Sequence, residues 1–213
     1  YILMINGRSS GLVDNLDDFH FHILGCGAIG SSTAMQLARM GATKFCLYDM
    51  DTVEDVNIGV SQYIISDIDK PKVEALKEHL GSIGVEDVNT YNERFTEFYP
   101  QGESDIAILG FDSMAARLQA VEALCSNPTI KPKHLIDGRM GAEHYQQYIF
   151  DKPTLSKYKK TWYSDNEGNP EPCAAKATAY CAFMSGSFIA NAVRKLATGQ
   201  PYNKEFSFNF PNM

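Results

Sequence analysis

The stretch Ile23-Leu24-Gly25-Cys26-Gly27-Ala28-Ile29-Gly30-Ser31-Ser32 decides how this chain is read. Alternating Phe19, Phe21 and Ile23 lead into it, and a helical pattern from Ile29 to Arg39 leaves it. In a G-x-G-x-x-G turn between strand and helix each glycine has a physical task. Gly25 permits the tight turn, Gly27 lets a phosphate approach bare backbone, and Gly30 lets the helix press on the strand. Unpaired N–H groups and the dipole at the helix start favour an anion there. The functional reading is a nucleotide site. The competing one is a tight turn with no ligand.

Working outward, the next strand is expected at Lys44–Tyr48, and it delivers Asp49-Met50-Asp51 at its carboxyl end. An acid about 20 residues after the glycine turn is placed to bond ribose hydroxyls, and Asp49 sits there. Glu54–Asp69 reads as a loop holding Asn57, Ser61 and Gln62. Pro71 then opens a helix over Lys72–Leu80. Lys72 stands in its first turn, where the dipole is positive, so it answers either to a phosphate or to solvent. Strands follow at Asp87–Tyr91 and Asp105–Leu109, the latter a continuous apolar run that reads as buried on both faces. It ends in Gly110-Phe111-Asp112-Ser113, which places another carboxylate, Asp112, at a strand end. Ser113 reads most simply as a helix cap.

A further strand is expected at His134–Ile136, followed by Asp137-Gly138-Arg139-Met140-Gly141, and another at His144–Phe150. Asp151–Pro172 reads as one long irregular stretch, the length of a lid or binding loop. A last helix is expected from near Cys173 to Ala197, and Lys204–Phe210 alternates as a strand. Strand–helix alternation with acids at strand ends gives an α/β fold, a Rossmann-like doubly wound sheet with a mixed C-terminal extension. The expected division is a core with an N-terminal arm over residues 1–150, a crossover-type loop over 151–172, and a helix and strand over 173–213 completing the same domain.

Composition narrows the function classes. Net charge is −7 with no lysine- or arginine-rich block, which argues against binding along a nucleic-acid backbone. No apolar run reaches the length of a membrane span, and no signal-peptide pattern is visible. Five cysteines, odd in number and irregular in spacing, point to free thiols in a reducing, cytoplasmic setting. No C-x-x-C pair occurs, so no structural zinc is expected. Three chemistries fit a glycine turn with Asp49: a nicotinamide dehydrogenase, a methyltransferase, or an ATP-dependent adenylating enzyme. Only the third needs a cation for phosphates and a carboxylate for magnesium. Lys72 and Asp112 suit it.

The order Gly25-x-Gly27-x-x-Gly30, Asp49-x-Asp51, Asn57, Lys70-Pro71-Lys72-Val73-Glu74-Ala75 and Asp112-Ser113 resembles the ThiF/HesA/MoeB family, that of the ubiquitin-activating enzymes. The resemblance covers about residues 8–199. It implies ATP- and magnesium-dependent adenylation of the C-terminal glycine of a small ubiquitin-like or sulfur-carrier protein, by a homodimer. Gly25, Gly27 and Gly30 would lie under the phosphates, and Asp49 and Asp51 on the ribose side. Asn57, Gln62 and Lys72 would contact the triphosphate, with Asp112 on magnesium and Ser113 beside it. It also implies a role for Arg139 near the acceptor.

Two features depart from the family pattern. Asn-Leu-x-Arg-Gln is usual after the acidic pair, but here the chain reads Asn57-Ile58-Gly59-Val60-Ser61-Gln62, so the phosphate arginine is missing. Arg8, on a glycine-bounded arm, is expected to replace it, across a dimer interface or within one chain. Paired zinc motifs are absent as well. Cys173 is expected to receive the activated acyl group, its thiol made reactive by a helix starting there. The competing reading is a cysteine that packs at a helix start. Alternatives for the whole chain are an NAD(P)-dependent oxidoreductase and a non-catalytic scaffold that binds a ubiquitin-like protein.

Overall fold

The computed structural model describes residues 7–9, 11–13, 15–167 and 177–212. Seven strands form one sheet in the order β3-β2-β1-β4-β5-β6-β7. β1 (His20–Leu24), β2 (Lys44–Tyr48), β3 (Asp87–Tyr91), β4 (Asp105–Leu109) and β5 (His134–Gly141) run parallel. β6 (His144–Asp151) turns back on β5, and β7 (Glu205–Asn209) turns back on β6. From β1 the chain builds outward to β2 and β3 on one side and to β4 and β5 on the other. This reversal is the doubly wound α/β arrangement, and in sheets of this kind ligands bind outside the carboxyl ends at that point. The antiparallel β6–β7 pair is the mixed C-terminal extension.

The central strands are buried because both faces are covered. β4 is buried along its whole length, as its unbroken apolar run requires. One face packs against α1 (Ala28–Arg39) and α6 (Ala179–Ala197), in a core that includes Ile23, Leu37, Ile136, Tyr145, Ile189 and Val193. The other packs against α4 (Met114–Leu124), through Leu24, Leu109, Val121, Leu135 and Tyr158. Among the described residues no helix is long and apolar enough to cross a membrane.

Several boundaries differ from expectation. The loop after Asp51 contains a short helix, α2 (Asp55–Ile58), and a 3-10 turn at Ile65–Asp67. The helix after Pro71, α3 (Lys72–Ser82), runs two residues past Leu80. β5 does not stop at Ile136 but continues through Gly141, because β6 pairs with it all the way to Gly141–His144. Asp137-Gly138-Arg139 is therefore strand and not loop. The stretch after Asp151 is less irregular than expected. It forms α5 (Leu155–Tyr158), capped by Thr154, whose hydroxyl accepts from Lys157 N at 3.2 Å. Tyr158 is fully buried. The last helix begins at Ala179 with Thr178 as its N-cap, not near Cys173. The helix-start argument for the Cys173 thiol falls with that boundary, and Cys173 itself lies outside the described residues.

Candidate functional site

Three turns meet at the carboxyl edge of β1, β2 and β4. Gly25 takes φ +91, and its N–H donates to Tyr48 O at 2.8 Å. Gly110 N donates to Leu24 O, also at 2.8 Å. A Cβ on Gly30 would lie 1.9 Å from Gly25 O, and one on Gly110 would lie 2.9 Å from the same oxygen. Bare backbone is thus what lets the strand–helix turn and the β4 turn touch. Gly27 is the N-cap of α1 and supplies no side-chain cap, and a Cβ there would meet nothing within 4 Å. The first amides of α1 are left without a side-chain acceptor beside open space. Cys26, between these glycines, is fully buried, and burial pushes its thiol well above the ordinary range.

At the β2 edge the carboxylates are engaged. Asp49 accepts Cys26 N–H at 2.7 Å on one oxygen and Asp51 N–H at 2.9 Å on the other. Burial raises its carboxyl above the usual value, against the pull of Lys72 and of these two amides. Lys72 Nζ lies 2.9 Å from Asp51 Oδ2, and Lys72 N donates to Asp51 O at 2.9 Å. Lys72 is only 9% exposed. Its burial works against the ammonium, but Asp51 and Asp49 outweigh it and hold the group above the ordinary lysine value. A lysine at the wrong end of its helix is thus kept charged by the acids of the neighbouring strand end. The buried Tyr63 hydroxyl donates to Cys26 O at 2.6 Å and lies 3.2 Å from Lys72 O, tying the glycine turn to the start of α3. Asn57 Oδ1 accepts from Glu54 N at 2.9 Å, and Gln62 N donates to Ser31 Oγ at 3.2 Å, which folds this loop back onto α1.

At the β4 edge the carboxylate is open. Asp112 is exposed and makes no hydrogen bond or ion pair among the described residues. Ser113 is the N-cap of α4, its hydroxyl accepting from Ala116 N at 3.0 Å, which is the simpler of its two expected roles. Asp165 reaches in from the segment after α5 and accepts from Met114 N at 2.7 Å and Ala115 N at 3.3 Å. Trp162 Nε1 donates to Met114 O at 2.8 Å. Among the described residues no three His, Cys, Asp or Glu side chains gather to hold a metal. One exposed carboxylate suits magnesium, which keeps several waters and shares phosphate oxygens, and does not suit an all-protein cage.

Two further expected residues lie at the surface or inside the fold. Arg8 is exposed and makes no ion pair among the described residues. Arg139, expected near an acceptor, is only 5% exposed and faces inward. Its Nε donates to Asp137 Oδ2 at 2.8 Å and its NH1 to Thr161 O at 2.7 Å, with the rings of Tyr148 and Tyr163 stacked at 4.5 and 5.4 Å. It anchors β5 to the segment after α5. Tyr63, Arg117, Asp137, Trp162 and Asp165 were not anticipated. Arg117 alone carried a signal, since it shares the inward stripe of α4 with Met114, Val121 and Leu124.

Ubiquitin-like modifier-activating enzyme 5 of Branchiostoma floridae is 28% identical over a match covering 56% of this chain and 34% of that protein. The chain thus spans about a third of this curated relative's length. Among solved structures, PaaA superimposes with a TM-score of 0.72 at 19% identity, covering 93% of this chain and 62% of that one. MccB of E. coli, solved with ATP, gives a TM-score of 0.66 at 17% identity, covering 93% and 65%. TcdA (CsdL) gives 0.66 at 18%, covering 89% and 90%. At these identities the structures speak for the fold alone. The model of the ThiF family matches residues 3–213, and the chain belongs to the ThiF family.

Proposed function

We propose that this chain uses ATP to adenylate the C-terminal carboxylate of a small ubiquitin-like or sulfur-carrier protein. One observation carries the reading. A single sheet edge holds an uncapped glycine turn, a buried lysine kept charged beside Asp49 and Asp51, and an open carboxylate on the neighbouring β4 turn. A nicotinamide cofactor would use the first and Asp49 but would leave Lys72 and Asp112 without a task.

In this reading Gly25, Gly27 and the amides of α1 receive the phosphates, and Gly30 sets how close the helix stands. Asp49 and Asp51 hold the ribose, and Asn57 and Gln62 flank the phosphates from the loop after β2. Lys72 neutralises phosphate charge by exchanging its Asp51 partner for a phosphate oxygen. Asp112, with Ser113 beside it, holds magnesium, which supplies charge neutralisation on the phosphates. The acceptor carboxylate is already ionised, so no general base is required. Its oxygen forms the bond to the α-phosphorus while the bond to the β-phosphate oxygen breaks, and pyrophosphate leaves with that electron pair. Catalysis then consists of positioning and electrostatic stabilisation. Arg8 supplies the charge that Val60 cannot, from the partner copy of a homodimer. Transfer to Cys173 rests on the family resemblance alone.

Calorimetry with ATP, with and without magnesium, and with NAD tests the reading. Magnesium-dependent ATP binding with none for NAD is expected. Tight NAD binding without ATP binding would reverse the assignment in favour of an oxidoreductase. ATP binding without pyrophosphate exchange on any carrier would favour the scaffold.

A further inference from the structure

Arg117 sits where a core residue belongs. It lies on the inward stripe of α4 and is 3% exposed. Its two terminal nitrogens go to different partners. NH1 pairs with Asp137 Oδ1, and NH2 donates to the carbonyl of Phe111. That carbonyl belongs to the peptide joining Phe111 to Asp112, so the guanidinium fixes the peptide from which the open carboxylate departs. Asp137 is fully buried on β5, in register with Leu109 of β4. Its other oxygen accepts from Arg139 Nε at 2.8 Å and from the Tyr158 hydroxyl at 3.1 Å. Arg139 passes the connection to Thr161 O. Trp162 and Asp165 then return it to the first turn of α4.

The path is a closed ring that begins and ends beside Asp112. It spends two buried guanidiniums on one buried carboxylate. A cluster of that kind is a poor way to gain stability, because well-packed apolar side chains often do as well or better. What it adds is direction. A planar fork holds two acceptors at a fixed angle, which an apolar contact or a single ammonium does not.

We infer that Arg117 is a positioning residue that, braced by Asp137, aims the Phe111–Asp112 turn and couples it to the Thr161–Asp165 segment. The inference deepens the adenylation reading and rests on it for the purpose of the aim. The geometry of the ring is independent of that reading.

Arg117→Lys keeps the charge and removes the fork. Two measurements read its effect. In the nucleotide-free protein, amide exchange of the Gly110–Arg117 segment should rise on the order of tenfold, with the Gly25–Gly30 turn unchanged. In calorimetry, the magnesium concentration needed for tight ATP binding should rise by about fivefold or more, with metal-free ATP affinity unchanged. Asp137→Asn, which keeps the shape and removes the brace, should do the same more weakly, and it serves where Arg117→Lys does not fold. Wild-type exchange and a wild-type magnesium titration in a folded variant would overturn the inference. Failure of both variants to fold would also overturn it, because the cluster would then be serving the core. If the wild-type protein binds no ATP, the adenylation reading falls, and the exchange measurement alone still decides whether Arg117 holds the turn.

Discussion

The two strand ends that flank the glycine turn are built on opposite plans. At the end of β2 every acid has a partner. Asp49 takes two backbone amides and Asp51 takes Lys72. At the end of β4 the acid has none among the described residues, while the peptide behind it is gripped from inside the core by Arg117. The first edge is a self-satisfied polar cluster that holds the glycine turn in shape. The second is a turn held from behind, whose carboxylate has no partner among the described residues. Paired and unpaired carboxylates are thus separated onto the two strands that flank β1, and the difference makes the two edges separable by mutation.

The largest effect is expected at the turn both edges share. In Gly30→Ala the new methyl carbon would lie 1.9 Å from Gly25 O, a backbone atom that is itself held by the turn at φ +91. Either α1 withdraws from β1 or the turn opens, and the loss should be about 3 kcal/mol or more. Chemical denaturation measures it. A wild-type midpoint would mean that the strand and helix are not pressed together as described.

The next comparison sets Asp112→Ala against Asp49→Ala. Asp112 has no partner to lose among the described residues, so its removal should leave stability within about 0.5 kcal/mol. Carrier-driven pyrophosphate exchange should fall by ~10²–10³. Asp49→Ala strips acceptors from Cys26 N–H and Asp51 N–H, and should cost about 1–3 kcal/mol of stability as well as ATP affinity. Paired denaturation curves and exchange rates check both. Equal stability losses would erase the distinction between the edges.

The sheet was largely legible in the sequence because its signals are local. The apolar run of β4, the glycine turn and the spacing to Asp49 each lie within one element, and β2, β3 and β4 run over their expected residues. What failed depends on distant partners. β5 reads as ending at Ile136 because Asp137-Gly138-Arg139 looks like loop chemistry. It continues because β6 supplies hydrogen-bond partners, Arg117 and Arg139 neutralise the buried Asp137, and the Tyr158 hydroxyl donates to it. The expectation for Arg139, a role near the acceptor, came from the resemblance, and its inward bonds to Asp137 and Thr161 likewise join positions that no local pattern links. Trp162 and Asp165 bond to the start of α4, some fifty residues earlier, and no local pattern reports such a contact. The last helix reads as starting near Cys173 because periodicity alone does not mark its start at Ala179, and Thr178 offers no side-chain cap bond to sharpen it.

The smallest effect, and the finest test of the contrast, lies in the Asp51–Lys72 pair. The Asp51 side chain is 56% exposed and that of Lys72 11%, so solvent screens the pair from one side. Asp51→Asn should therefore cost at most about 1 kcal/mol near neutral pH, less than Asp49→Ala. Lys72 also keeps the attraction of Asp49, its second acidic neighbour. The sign of the pH dependence follows from the direction of the lysine shift. Its folded value is raised, so the pair's stabilisation is complete below the unfolded lysine value of about 10.4 and disappears as pH rises through the folded value. Denaturation curves of wild type and Asp51→Asn should thus run parallel through the neutral range and converge in alkali, and added salt should narrow the gap. A gap that widened in alkali, or one as large as that of Asp49→Ala, would show that Asp51 supports the fold through something other than the lysine. Lys72 would then not be a cation held ready for exchange with a phosphate.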